Sequence, residues 1–207
     1  MQTERGAPLT GAEPSDPQPL DPPPLDSAPL DSEAATAEPP RVRTRRVGLF
    51  AVVAVLVLVL DQLSKYLIVA HLADRAPIRL LGGLLTITYT RNAGAAFSLG
   101  TGFTFIFTAV ALAVIVVIIR TARRLYSVAW AIALGALLGG AVGNLIDRLF
   151  RAPGPGRGHV VDWIQLPHFA VFNLADSAIT CAAVGMVLLS LLGRDIDGRQ
   201  HRTGQPA

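Results

Sequence analysis

From residue 47 onward the chain is organised by four long apolar stretches separated by short polar ones. The first runs unbroken through 47–60, crosses the polar set Asp61-Gln-Leu-Ser-Lys65 and continues to residue 70, giving 24 residues. The others cover 103–119, 128–146 and 175–192, which is 17, 19 and 18 residues. A hydrocarbon layer about 30 Å thick needs roughly 20 helical residues, and helices of soluble cores are seldom apolar on every face. The pattern therefore predicts four membrane-spanning helices. Between the first two the period changes. The end of Ile78-Arg-Leu-Leu-Gly-Gly-Leu-Leu-Thr-Ile-Thr-Tyr-Thr90 alternates β-branched and polar residues, and Gly82-Gly83 marks a turn. A small sheet at the membrane surface is expected there. Pro153-Gly-Pro-Gly156 reads as a turn-rich spacer.

The first forty residues are of another kind. They hold ten of the fifteen prolines, eight acidic side chains and one arginine, and repeat Pro-Leu-Asp at 19–21, 24–26 and 29–31. Such a segment cannot bury enough apolar area to offset its ordering entropy, so disorder with polyproline II character is expected. It does not read as a secretory signal, because the basic and apolar run begins only after residue 40 and no small-residue cleavage site follows. The expected organisation is an acidic Pro-rich tail over 1–44 ending in an arginine cluster, a membrane domain over 45–193 and a C-terminal tail over 194–207.

Composition sharpens this picture. Charged residues are 16 % of the 207, against about 25 % in soluble domains, and the mean hydropathy of +0.47 is positive despite the polar tail. A typical soluble enzyme is excluded. A single cysteine, Cys181, excludes a disulfide framework and a cysteine-based zinc site; within the last span it reads as a small packing residue. The basic residues flank apolar runs rather than forming a stripe interleaved with aromatics, so no nucleic-acid partner is expected. Eleven of them lie before the first span, between the second and third, or after the fourth, against seven in the other loops. That bias predicts both termini in the cytoplasm and loops 71–102 and 147–174 outside.

An ionisable group at or inside a span marks function, because its placement there is costly. Five polar clusters qualify, and the expected topology carries all of them to the outer side: Asp61-Gln-Leu-Ser-Lys65, Asn92-Ala-Gly-Ala-Ala-Phe97, Asn144-Leu-Ile-Asp-Arg148, Val160-Val-Asp-Trp163 and Asn173-Leu-Ala-Asp-Ser177. Asp61 and Lys65 share a helix face at i,i+4, suited either to an ion pair or to anchoring the helix end at the headgroups. Asp147 and Arg148 can pair with another helix or snorkel. Asp162 sits among Val160, Val161, Trp163 and Ile164, where desolvation raises a carboxyl pKa. Asn173 is placed to cap the last helix with Asp176 in its first turn, where the helix dipole favours the charged form. One carboxyl pushed up and one held down is the pairing that water-activating aspartyl chemistry uses, and Asp162 is then the expected acid. Its bland counterpart is a helix cap beside a core strand.

Other chemistries find less support. There is no Gly-x-Ser-x-Gly elbow. His71, His159, His168 and His201 lack metal-ligand spacing, so neither metal nor organic cofactor is expected. Gly139-Gly-Ala-Val-Gly143 lies inside a span, where small residues permit close helix packing. A small proton- or ion-coupled transporter subunit is the rival reading; it predicts acids spread through the membrane depth and an inverted repeat. A non-catalytic adaptor built around the tail is a weaker one.

Together, Asp61-Gln-Leu-Ser-Lys65, Asn92-Ala-Gly-Ala-Ala-Phe97, Gly139-Gly-Ala-Val-Gly-Asn-Leu-Ile-Asp-Arg148, Val160-Val-Asp-Trp163 and Phe172-Asn-Leu-Ala-Asp-Ser177 resemble the lipoprotein signal peptidase (signal peptidase II) family. The resemblance covers about 47–192. It implies an integral membrane, mainly α fold of four transmembrane helices, with a small extracytoplasmic β-cradle and a mobile outer helical segment. It further implies an aspartyl endopeptidase of the bacterial cytoplasmic membrane that cleaves before the diacylglyceryl-modified cysteine of prolipoproteins. Asp162 and Asp176 fall on the family's catalytic pair. Asp61, Lys65, Asn92, Gly94, Asn144, Asp147, Arg148, Asn173 and Ala175 fall on its supporting positions. The partners so implied are prolipoproteins and membrane lipid, with a monomer expected. Trp163 stands where phenylalanine is commoner, and the acidic tail lies beyond the common core.

Overall fold

A computed structural model describes residues 44–94 and 104–198. The Pro-rich tail, the end of the second cluster through Phe97, and His201 with Arg199 and Arg202 lie outside the described residues. Four helices appear where the apolar pattern places them: α1 Val47–Leu72, α2 Thr104–Ala122, α3 Val128–Phe150 and α4 Leu174–Leu191. All four are long and apolar enough to cross a membrane. The notable difference is at the end of α3. The apolar run stops at 146, yet the helix continues through Asp147 and Arg148, because Asp147 is fully buried and ion-paired inside the protein. Hydropathy marks where lipid contact ends, which here precedes the end of the helix.

Successive helices run in opposite directions. At one end of the bundle the start of α1, the α2–α3 link and the segment after α4 are tied together: Arg46 N donates to Leu125 O, Tyr126 N and Ser127 N to Ile196 O, and Trp130 Nε1 to Arg194 O at 2.7 Å. Leu125 is fully buried in a core with Phe50, Ile118 and Leu134. At the opposite end sit the sheet and every polar cluster named above, as far as they are described.

α3 is the central helix, with over half of its span buried against 22 % or less for the others, and glycines make that possible. A Cβ on Gly139 would lie 2.5 Å from Ala54 O of α1, and one on Gly140 would lie 2.6 Å from Ala175 O of α4. The stripe of small residues thus brings two backbones against α3 on neighbouring faces. Cys181, by contrast, is exposed, lining a cleft between α3 and α4 rather than packing in the core.

The sheet has three antiparallel strands, β1 Ile78–Leu80, β2 Leu85–Asn92 and β3 Val160–Gln165, in that spatial order. A 3-10 turn at Leu81–Gly83 joins β1 to β2, with Gly82 at φ 66° and Gly83 at φ 95°. The expected turn is there, and it is the only helical turn among the described residues of that loop. The β2–β3 register shifts between Ile87, opposite Ile164, and Thr90, opposite Asp162. This bulge inserts one residue into β2, so Thr90 and Asn92 share the face of β3 that carries Asp162. The alternation along 78–90 gives no hint of it.

Candidate active site

Five elements converge on one buried polar network. Lys65 lies two turns before the end of α1 and is fully buried. Its three ammonium protons have three acceptors: Asp61 Oδ2 at 2.8 Å, Asp147 Oδ2 at 3.0 Å and Asn144 Oδ1 at 2.9 Å. The alternative of headgroup anchoring is overturned, since both Asp61 and Lys65 are 0 % exposed. Asp61 in turn accepts from Ala175 N (3.0 Å) and Gln62 Nε2 (3.1 Å), joining α1 to the first turn of α4. Gln62 also donates to Gly143 O. A Cβ on Gly143 would collide with the Asp61 carboxylate, so only glycine fits at that crossing.

Asp147 accepts from Arg151 Nε at 2.6 Å and from Val161 N at 3.2 Å, which ties α3 to β3. Its partner is therefore Arg151, one helical turn on, rather than Arg148. Arg148 instead holds its guanidinium 5.9 Å from the centre of the Phe107 ring on α2, and its charge acts on Asp176, Asp162 and Asp147.

Asn173 caps α4 as its position suggested, in a reciprocal box: Asn173 Oδ1 accepts from Asp176 N at 3.0 Å, and Asp176 Oδ2 accepts from Asn173 N at 3.1 Å. The same cap reaches further. Asn173 Nδ2 donates to Asp162 Oδ1 at 2.6 Å and to Asn144 Oδ1 at 3.2 Å. Asn144 Nδ2 donates to Asp176 Oδ1 at 2.8 Å. Asn92 Nδ2 donates to Asp162 Oδ2 at 2.8 Å, and Asn92 is itself oriented by Gly94 N at 2.8 Å, with Gly94 at φ 104°. Each carboxyl oxygen of Asp162 and Asp176 thus accepts one hydrogen from an amide. A carboxylate oxygen has a second lone-pair direction, so each keeps acceptor capacity for a water or a substrate.

Burial pushes the Asp162 carboxyl up to about 6; the bond from Asn92 opposes this, the charge of Asp176 adds to it, and the bond from Asn173 and the charge of Lys65 oppose it. The consequence for stability has a definite sign. A raised folded-state value means the contribution is present in full below about pH 4 and is lost as pH rises through about 6. The change is about 3 kcal/mol for a shift of this size. Asp162→Asn removes it. The difference in Tm between wild type and Asp162→Asn in detergent is therefore expected to move against wild type from pH 4 to pH 7. A constant difference contradicts the assignment.

Of the supporting positions suggested by the sequence, Asp61, Lys65, Asn92, Gly94, Asn144, Asp147, Asn173 and Ala175 meet in this network, and Arg148 acts on its carboxylates through charge. Gln62, Gly143 and Arg151 join the network although the sequence pattern does not mark them as site residues. The i,i+4 spacing of Asp147 and Arg151 was a usable signal; the contact of Gly143 with Asp61 had none, because it depends on how α1 crosses α3. Among the described residues no three His, Cys, Asp or Glu side chains are grouped to hold a metal ion.

The sequence model of the signal peptidase II family matches residues 53–192, most of the chain and every element of this network. The chain belongs to the signal peptidase II family. Relatives agree with that membership. A Streptomyces coelicolor protein named lipoprotein signal peptidase is 56 % identical over 165 residues, 79 % of this chain and 81 % of the relative. A Mycobacterium tuberculosis protein of the same name is 45 % identical over 162 residues, 77 % and 80 %. Two solved structures described as bacterial membrane enzymes share the fold, each with a TM-score of 0.64. One is 27 % identical, covering 72 % of this chain and 96 % of that one; the other is 25 % identical, covering 80 % and 98 %. As a signal peptidase II, the chain is an aspartic-type membrane peptidase, and the transporter reading has no support.

Proposed function

We propose that this peptidase hydrolyses prolipoproteins at the bond before the diacylglyceryl-modified cysteine, with Asp162 and Asp176 as its catalytic pair. The observation that carries the reading is Asn173, which holds both carboxyls from one side chain and its own backbone. Charge balance supports one shared proton. Lys65, Arg148 and Arg151 supply three positive charges; Asp61 and Asp147 with one ionised carboxyl of the pair supply three negative ones.

Asp162, whose burial favours the neutral form, bears the proton. Asp176 takes a proton from water as the water oxygen attacks the scissile carbonyl carbon, while Asp162 gives its proton to the carbonyl oxygen. Collapse of the tetrahedral intermediate breaks the C–N bond. The amine receives the proton from Asp176, and the intermediate's hydroxyl proton returns to Asp162. Every proton in the cycle is carried by the two carboxyls. Lys65, Asn144 and Asn92 hold geometry and do not exchange protons with substrate.

An apolar cavity of about 230 Å³ supports a membrane-embedded substrate. It is lined by Phe107 and Val110 of α2, Leu137 of α3 and Ile179 of α4, with Asn144 and Arg148 as its polar lining. The apolar part of a signal peptide fits that chemistry. The sequence bias of basic residues, eleven beside the termini and the α2–α3 link against seven in the other loops, supports a chain in the cytoplasmic membrane with both termini inside and the pair facing outward. A monomer suffices, since every group in the network comes from one chain. On this reading the acidic segment over 1–44 is a cytoplasmic tail that takes no part in catalysis.

The reading is tested with the purified full chain in detergent on two substrates, one carrying diacylglyceryl-cysteine and one with the free thiol. Cleavage confined to the modified substrate is the expected result. Equal cleavage of both contradicts the substrate class.

A further inference from the structure

The loop between α3 and β3, residues 151–159, is more closely held than its composition predicts. At its base Arg151 N donates to Asp147 O (3.0 Å), Gly158 N to Arg148 O (2.9 Å) and His159 N to Ala152 O (3.2 Å). Arg91 Nη2 of β2 donates to Ala152 O at 2.8 Å. Gly158 lies so close to the last carbonyls of α3 that a Cβ there would collide with Asp147 O. The base of the loop is thus fixed to the residues that support the catalytic pair. Its tip reaches a different helix. Gly156, buried and at φ 74°, accepts from Thr108 Oγ1 of α2 at 3.0 Å, and Thr108 is itself buried.

Thr108 stands beside Phe107, whose ring lies under Arg148, and two residues before Val110; both line the same cleft as Asn144 and Arg148. α2 packs chiefly against α3, and its outer part forms one wall of that cleft. We infer that residues 151–158 act as a strap holding α2 against α3, with Thr108 as the positioning residue that fixes the width of the substrate cleft. The inference rests on the peptidase reading and adds a determinant of substrate binding to it.

The strap contributes no group to the reacting atoms. Releasing it weakens the hold on substrate equally in the ground and transition states, which raises KM and leaves kcat in place. Thr108→Val keeps the shape of the side chain and removes the donor. A KM increase of about fivefold, the counterpart of one buried hydrogen bond, is expected with kcat within about twofold. Thr108→Ser restores the donor and the KM. Gly156→Ala, which strains a left-handed position and sets a Cβ beside Phe105, is expected to repeat the signature from the other side of the bond. A purely structural role for Thr108 predicts a lower Tm and lower kcat at unchanged KM; that pattern, or a Thr108→Val enzyme indistinguishable from wild type, overturns the inference while wild-type cleavage leaves the peptidase reading standing. Failure of wild type to cleave removes both.

Discussion

Asp162→Asn and Asp176→Asn are each expected to lower kcat by about a thousandfold or more, the range in which loss of a positioned acid or base falls. Most of the effect comes from lost ionisation, because asparagine keeps the shape of the side chain. Asp162 accepts from Asn92 Nδ2 and Asn173 Nδ2, and Asp176 from Asn144 Nδ2 and Asn173 N. An asparagine in either place offers one acceptor oxygen where two are used, so one amide must turn away. That costs about 1–3 kcal/mol of stability, too little to unfold the bundle. The double variant is expected to be no worse than the single ones, since the two groups act as a unit. Single-turnover rates with helix content followed by circular dichroism check both points. A variant that keeps wild-type kcat removes that aspartate from the mechanism.

Lys65→Met is expected to be the most damaging change outside the pair. Lys65 is the only lysine in the chain and its ammonium is wholly enclosed. It neutralises two carboxylates, Asp61 and Asp147, that are also 0 % exposed. Removing one member of a buried ionic group leaves the others uncompensated, at about 3–5 kcal/mol. Arg151 still pairs with Asp147 from its partly exposed position, which leaves Asp61 as the more costly orphan. Asn144 loses the contact that orients its Oδ1, and with it the amide aimed at Asp176, so the folded remainder is also expected to turn over slowly. A large fall in Tm in detergent is the expected reading. Lys65→Arg does not restore it, because a planar fork replaces a compact donor with acceptors on three sides. A Lys65→Met protein that melts with wild type contradicts the account of the network.

Which parts of this architecture a sequence reveals follows from what each part depends on. The four spans are legible because a slab of hydrocarbon imposes length and apolarity on any helix that crosses it. The capping role of Asn173 is legible because capping is local. Its second role, donating to Asp162, depends on β3 arriving beside the start of α4 and has no local signature. The same holds for the bulge that turns Asn92 toward Asp162. Asp147 shows both sides: its polarity flags it, yet polarity also hides the last turn of α3, and pairing with Lys65 requires knowing that α1 crosses α3 through Gly139 and Gly143. The pair Asp162 and Asp176 emerges from environment and motif together. The strap from Gly156 to Thr108 joins residues 48 apart through a backbone carbonyl, which no side-chain pattern records.

The most direct test of the central claim is the identity of the bond that is cut. The purified chain is incubated with a diacylglyceryl-modified prolipoprotein and both products are weighed by mass spectrometry. The account predicts two fragments only, a free signal peptide ending in a carboxylate and a mature chain beginning with the modified cysteine. A cut at any other bond, or an intact substrate with folded enzyme, contradicts it.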